Sequence, residues 1–108
     1  MAKPELLSGT LDLLVLQVLN VGQLHGFAIA ERIHALSKDV LIVEEGSLYP
    51  SLYRMEEKGW IEPEWGQSDK GRRAKFYSLT KEGRKQLTAE RQTWDRIALA
   101  IGDVLRNA

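Results

Sequence analysis

The stretch EEGSLYPSLYRMEEKGWIEPEWGQSDKGRRAKFYSLT, from Glu44 to Thr80, decides how this chain folds. Its first part has a definable start and stop: Ser47 is a candidate N-cap, Pro50 falls in the first turn where a missing N–H is harmless, and Gly59 closes the end. Leu48, Leu52 and Met55 recur at offsets of four and three, so they line one face and pack inward, leaving Ser47, Pro50, Tyr53 and Arg54 to look outward. WIEPEW, the turn-rich GQSDKG and RRAKFYSL then follow as strand, loop and strand, the order a hairpin requires. Pro63 points to an edge strand. Alternation sets Arg73, Lys75, Tyr77 and Leu79 on one side of the second strand and Ala74, Phe76 and Ser78 on the other. Neither face is cleanly apolar, so a twist or bulge near Tyr77 is expected.

The tip of this hairpin reads KGRRAK and is too charged to be buried; phosphate is its obvious counter-surface. A charged hairpin also occurs in proteins that touch no nucleic acid. It is the order of elements, a capped helix with a polar face and then a basic wing, that points to DNA.

Upstream, Ser8 is placed to cap a first helix running to Gly22 that is apolar on nearly every side, and such a helix is either central or covered by a partner. HGFAIAERIHALS reads as a second helix with Phe27, Ile29, Ala30 and Ile33 as its apolar positions, ended by Ser37 to Asp39. Val40 to Val43 is short and β-branched, fitting an edge strand or an extended linker into the third helix.

Downstream, Thr80 is a good N-cap for a last helix reaching about Arg106, or ~40 Å at 1.5 Å per residue. Its N-terminal half is expected to follow the wing away from the core. Leu87, Trp94 and Ile101 fall seven apart, with Ile97 and Val104 at the intervening heptad positions, a seam interrupted by Glu90. That spacing predicts self-association, with Leu11 and Leu14 of the first helix contributing to the same interface.

At 108 residues the chain is large enough for one domain with a modest core. A DNA-binding region over residues 1–80 and a dimerisation helix over residues 81–108 are expected to share it. Fifteen basic and fifteen acidic residues cancel, so any affinity for a polyanion must come from local asymmetry. Such asymmetry is present: basic residues dominate from Lys70 to Arg91, and acidic ones from Glu44 to Glu64.

No cysteine occurs, which removes disulfides and thiolate chemistry and suits a reducing cytoplasm. No apolar run comes near the ~20 residues that span a bilayer, so a soluble protein with no membrane partner is expected. His25 and His34 are too few for a metal site, and His25 with Gly26 reads as turn chemistry at a helix start. No nucleophile with its base, phosphate loop or paired carboxylate in an apolar setting is evident, and Glu44, Glu45, Glu56 and Glu57 read as solvated helix-end charges. Neither an enzyme nor a cofactor is expected. Trp60 and Trp65 bracket the first wing strand and read as structural.

Four motifs in order, GTLDLLVLQVL (Gly9 to Leu19), LHGFAIAERI (Leu24 to Ile33), EEGSLYPSLYRMEEKGWI (Glu44 to Ile61) and RRAKFYSLTKEG (Arg72 to Gly83), carry a resemblance. Over Leu7 to Leu105 the chain resembles the PadR family of bacterial transcriptional regulators. The single C-terminal helix is like its short subfamily, and EEGSLYP, EWG and RRAKFY are similar to a subgroup frequent in acidobacteria.

The resemblance implies a homodimeric repressor of winged helix-turn-helix type, mainly α with a small β-hairpin and a long C-terminal dimerisation helix. It would bind a double-stranded DNA operator in the bacterial cytoplasm, with the third helix in a major groove. The positions matching the family's LYP motif open that helix, so Ser47, Tyr49, Pro50, Ser51 and Arg54 are expected to approach DNA. Tyr49 sits at the border of the core, where a packing role is the alternative. Arg54 is the candidate for a base edge, and Lys70, Arg72, Arg73 and Lys75 for backbone phosphates. Relatives that respond to hydrophobic or phenolic effectors make Trp94, on the seam, the marker of a candidate effector pocket, with plain core packing as the alternative. Two other readings are a winged helix used as a protein-interaction module, for which weak, salt-independent DNA binding would speak, and a small-molecule sensor without autonomous DNA binding.

Overall fold

The computed structural model describes residues 9–108. Its elements follow in the order α1 (Thr10–Leu19), β1 (Leu24–His25), α2 (Gly26–Leu36), α3 (Glu45–Glu57), β2 (Ile61–Gln67), β3 (Arg73–Leu79) and α4 (Lys81–Asn107). The fold is mainly helical with a small antiparallel sheet, as the sequence led us to expect. Ser8 lies outside the described residues, and Gly9 occupies the N-cap position of α1.

α1 is central. Val15 and Leu16 are fully buried among Ile29 and Ile33 of α2, Leu48, Leu52 and Met55 of α3, and Ile61, Tyr77 and Leu79 of the sheet. In α2, Ile29 and Ile33 face this core, whereas Phe27 is exposed. His25 caps α2 by accepting the Ala28 N–H on Nδ1 (3.3 Å). Between α2 and α3, Ser37 accepts the Leu41 N–H (2.9 Å) and donates to the His34 carbonyl (3.0 Å), closing the turn of the helix-turn-helix. Val40 to Val43 joins no sheet and is the linker of the two alternatives.

α3 begins earlier than its sequence suggests. The N–H groups of Ser47 and Leu48 both reach the Glu44 carbonyl (3.0 and 2.9 Å), so Glu44 is the N-cap and Ser47 lies inside the first turn. Starting at Glu45 adds backbone bonds and sets an acidic side chain at the positive end of the helix dipole. Pro50 accordingly sits in the second turn, where its missing N–H leaves the Gly46 carbonyl without its helical donor. The helix stops as expected at Gly59 (φ +76°), whose N–H bonds the Glu56 carbonyl while Trp60 N–H bonds that of Met55, both at 3.0 Å.

The sheet has the order β1-β3-β2, which puts Pro63 on an edge strand. Pairing runs unbroken from Ile61 opposite Leu79 to Gln67 opposite Arg73, so the bulge expected near Tyr77 is absent. The mixed alternation has another cause. Ile61, Tyr77 and Leu79 face the core at the base of the hairpin, and the same face carries Lys75 and Arg73 farther out, beyond the core's edge. On the opposite face Phe76 is covered by β1, where the His25 ring meets it edge-on at 5.3 Å. β1 has only two residues, too few for a periodic signal.

Thr80 joins three elements. Its N–H bonds the Trp60 carbonyl (3.0 Å), its hydroxyl donates to Gly59 O (2.6 Å), and the same oxygen accepts the Gly83 N–H (3.0 Å) as the cap of α4. α4 passes so close to the start of β2 that a Cβ on Gly83 would lie 2.0 Å from the Trp60 carbonyl oxygen. Leu87 is therefore buried in the shared core rather than on an outer seam, and the N-terminal half of α4 packs on α1 and β3 instead of leaving with the wing. Residues 91–101 and 103–108 are exposed.

Gly83→Ala forces backbone apart, not a flexible side chain, and is expected to cost at least about 2 kcal/mol. The urea midpoint should fall with little change in slope; an unchanged midpoint would mean that the α4 junction is not tight in solution.

Candidate nucleic-acid interface

α3 presents its exposed face between α2 and the wing. Ser47, Pro50, Tyr53 and Arg54 all lie on that surface, with Leu48, Leu52 and Met55 beneath. Tyr49 packs without being covered: its ring lies along Gly26, where an added Cβ would meet the hydroxyl at 2.9 Å, yet the residue stays about one-third exposed. It therefore spaces the recognition helix from the start of α2.

Ser51 departs from expectation. It is buried, and its hydroxyl donates to Asp12 Oδ1 at 2.6 Å, so it is withdrawn from the exposed face of α3. Arg54 Nη2 donates to the same oxygen at 2.7 Å, with the Arg54 side chain still half exposed. Asp12, in the first turn of α1, thus ties the recognition helix to the centre of the fold through two residues three apart on one helical face. Sequence reasoning missed Asp12. The available signal was an acid inside the largely apolar run LDLLVLQVL, at a position that proves to be buried.

The wing faces α3 across a cleft of about 780 Å³, lined on one side by Phe27, Tyr49 and Tyr53 and on the other by Trp65, Arg72, Arg73 and Lys75. Its tip is closed by Gly71 N–H to Ser68 O (2.9 Å) and Ser68 N–H to Arg72 O (2.8 Å), which leaves Lys70 and Arg72 exposed. Arg73 lies 4.4 Å over the Trp65 ring, which holds its planar guanidinium without neutralising it. Trp65 is thus an exposed platform, whereas Trp60 packs against the core.

Lys75 also departs from expectation. Its ammonium is paired with Glu56 of α3 at 3.1 Å and lies 5.6 Å from the rings of both Tyr53 and Tyr77. It holds the wing to the recognition helix and is poorly placed for phosphate. Glu56 is consequently a structural partner, not a solvated helix-end charge. The bond to Glu56 raises the Lys75 pKa above its ordinary 10.5, and burial raises that of Tyr77 above 10.0.

A polar recognition helix seated in a three-helix core and flanked by a basic, aromatic wing defines a winged helix-turn-helix DNA-binding regulator. The chain belongs to the Transcriptional regulator PadR-like family, whose profile matches residues 15–89. It is similar to a transcriptional regulator from Clostridium thermocellum (26% identity, TM-score 0.81, covering 89% of this chain and 93% of that one). It is also similar to a PadR-like transcriptional regulator from Bacillus cereus (26%, 0.78, 94% and 96%) and a PadR family transcription regulator from Clostridium difficile (31%, 0.76, 90% and 99%). The protein is accordingly a DNA-binding transcriptional regulator and not an enzyme. Among the described residues no helix is long and apolar enough to cross a membrane.

Both raised pKa values mean that the folded state binds those protons more tightly than the unfolded chain. Their contribution to stability is therefore complete below about pH 10 and is lost as pH rises through the folded values. Urea unfolding between pH 7 and 11 should show an alkaline decline that Lys75→Met and Tyr77→Phe each make shallower. A decline of the same depth in both variants would assign it to other groups.

Proposed function

We propose that the protein is a homodimeric repressor, acting in the bacterial cytoplasm, that sets α3 into a major groove of an operator and rests its wing on the adjacent backbone. One observation carries this: Ser47, Tyr53 and half of Arg54 are exposed on α3, beside Lys70, Arg72 and Arg73 of the wing. Within this interface Arg54 meets a base edge, because a guanidinium pairs bidentately with guanine, while Lys70, Arg72 and Arg73 take phosphates. Ser47, Tyr49 and Pro50 line the approach.

Pairing is supported by the distal half of α4. Trp94, Ile97, Ile101 and Val104 recur at helical spacing and are 42 to 63% exposed, an apolar stripe that a soluble monomer has no means of covering. Leu11 and Leu14 of α1 are only half-buried and extend the same interface. Residues 1–80 then read DNA and residues 81–108 pair, a division of labour within one core. Leu87 is left out of the seam because it is already buried.

Trp94 also borders a cleft of about 290 Å³ between the start of α1 and α4, walled by Leu13, Ala89 and Ile97. A small hydrophobic or phenolic effector fits the chemistry of that wall, and quenching of Trp94 fluorescence on titration tests it.

The protein titrated onto labelled DNA from upstream of its own start codon, and onto a shuffled duplex, at several salt concentrations, should bind the first tightly and with strong salt dependence. Equal, weak binding to both would favour an interaction module. Arg54→Ala should cost roughly 1 to 3 kcal/mol on the operator alone; an equal loss on both duplexes would assign Arg54 to phosphate. Lys70→Ala or Arg72→Ala should weaken both and reduce the salt slope by about one. Ile101→Asp should sediment as a folded monomer with weakened operator binding, whereas Leu87→Asp should unfold the domain. A persistent Ile101→Asp dimer would remove α4 from the interface.

A further inference from the structure

From the buried contact between α1 and α3 we infer that Asp12, which is itself out of reach of DNA, aims Arg54 and sets the balance between specific and non-specific binding. The inference rests on the assignment of Arg54 to a base edge and adds a positioning residue to it. Asp12 is 8% exposed, and its Oδ1 accepts from both Ser51 Oγ and Arg54 Nη2. The carboxylate is thus fixed from α3 at one point and fixes the Arg54 head at another. Arg54 would otherwise be a long side chain free to sample many rotamers on an exposed helix face, and ordering it on DNA would be unfavourable.

Two consequences follow from the geometry. Nη2 carries two N–H groups, one on each bidentate edge of the guanidinium, so a single bond to Asp12 leaves the other edge complete for guanine O6 and N7. At the same time the carboxylate at 2.7 Å offsets the charge of Arg54. A paired guanidinium keeps its directional donors but loses much of its undirected attraction for phosphate. Asp12 therefore strengthens sequence preference and weakens loose binding, two effects of opposite sign on the two kinds of DNA.

The opposite signs make the test sharp, because a merely structural residue would lower both affinities together. Asp12→Asn keeps the size of the side chain and an acceptor for Ser51 and removes the charge. Binding is measured to a duplex selected from a randomised pool by the wild-type protein and to a shuffled duplex, across a salt series, with folding checked by thermal melting. Asp12→Asn should raise affinity for the shuffled duplex at low salt and steepen the salt slope there by up to about 0.9. The selected-to-shuffled ratio should fall about fivefold or more, within the range that one bidentate pair discriminates. In an Arg54→Ala background the same change should leave the ratio where Arg54→Ala alone puts it.

A parallel fall on both duplexes would make Asp12 structural only and overturn the inference. So would an Asp12→Asn ratio equal to that of the wild type while Arg54→Ala lowers it, an outcome that leaves the base contact of Arg54 standing. If Arg54→Ala itself leaves the ratio unchanged, the base contact and the inference fall together. Should Asp12→Asn not fold, Ser51→Ala removes the other bond to Oδ1 without changing any charge; it should lower the ratio at constant salt slope, and an unchanged ratio would overturn the aiming role.

Discussion

The arrangement of this protein depends on a small knot of backbone around Trp60 and Thr80. There the recognition helix ends, the wing begins and closes, and the C-terminal helix starts, all within hydrogen-bonding distance of Gly59 and Trp60. Thr80 bonds the carbonyls of Gly59 and Trp60 and caps α4 with the same hydroxyl, and Gly83 lets α4 lie against the Trp60 carbonyl without a side chain between them. The angles of α3 to the wing and of both to α4 are consequently set together. Rigidity there carries along α4, because an angular error at the knot is multiplied by the ~40 Å of helix beyond it.

A second tier of contacts holds the reading surface itself. Asp12 anchors the middle of α3 from α1, and the Glu56–Lys75 pair anchors its end to the wing, with the Tyr53 and Tyr77 rings beside the ammonium. Both anchors use a charge that a simple reading of the surface assigns to solvent or to phosphate. The wing's outward cations are left as Lys70, Arg72 and Arg73, the last supported on Trp65. With a net charge of zero, affinity for DNA has to be built from such a focused set rather than from a general field.

Much of this was legible in the chain. Helical spacing of Leu48, Leu52 and Met55 identified the buried face of α3, Gly59 its end, Pro63 the edge strand and Thr80 the last cap, because each is a local rule with a single physical cause. The start of α3 was misplaced because Ser47 and Pro50 are both good local signals for a first turn, and the backbone bonds gained by starting at Glu45 outweighed them. Ser51 was placed on the DNA side by its position beside the family's LYP motif and Lys75 by the charge of KGRRAK, and neither signal says whether a neighbouring element covers the residue.

Local sequence by itself determined the identity and order of the elements, the reading helix followed by the basic hairpin, and the apolar stripe on the last helix. Tertiary structure alone decided which polar groups meet across the core: an aspartate at position 12 with an arginine at position 54, a lysine on the wing with a glutamate on α3, and a two-residue strand that covers Phe76. The physical reason is range. Helix periods, caps and turns act over a few residues of chain, whereas these contacts join groups that only the packing of α1, α3 and the sheet around one core brings within bonding distance.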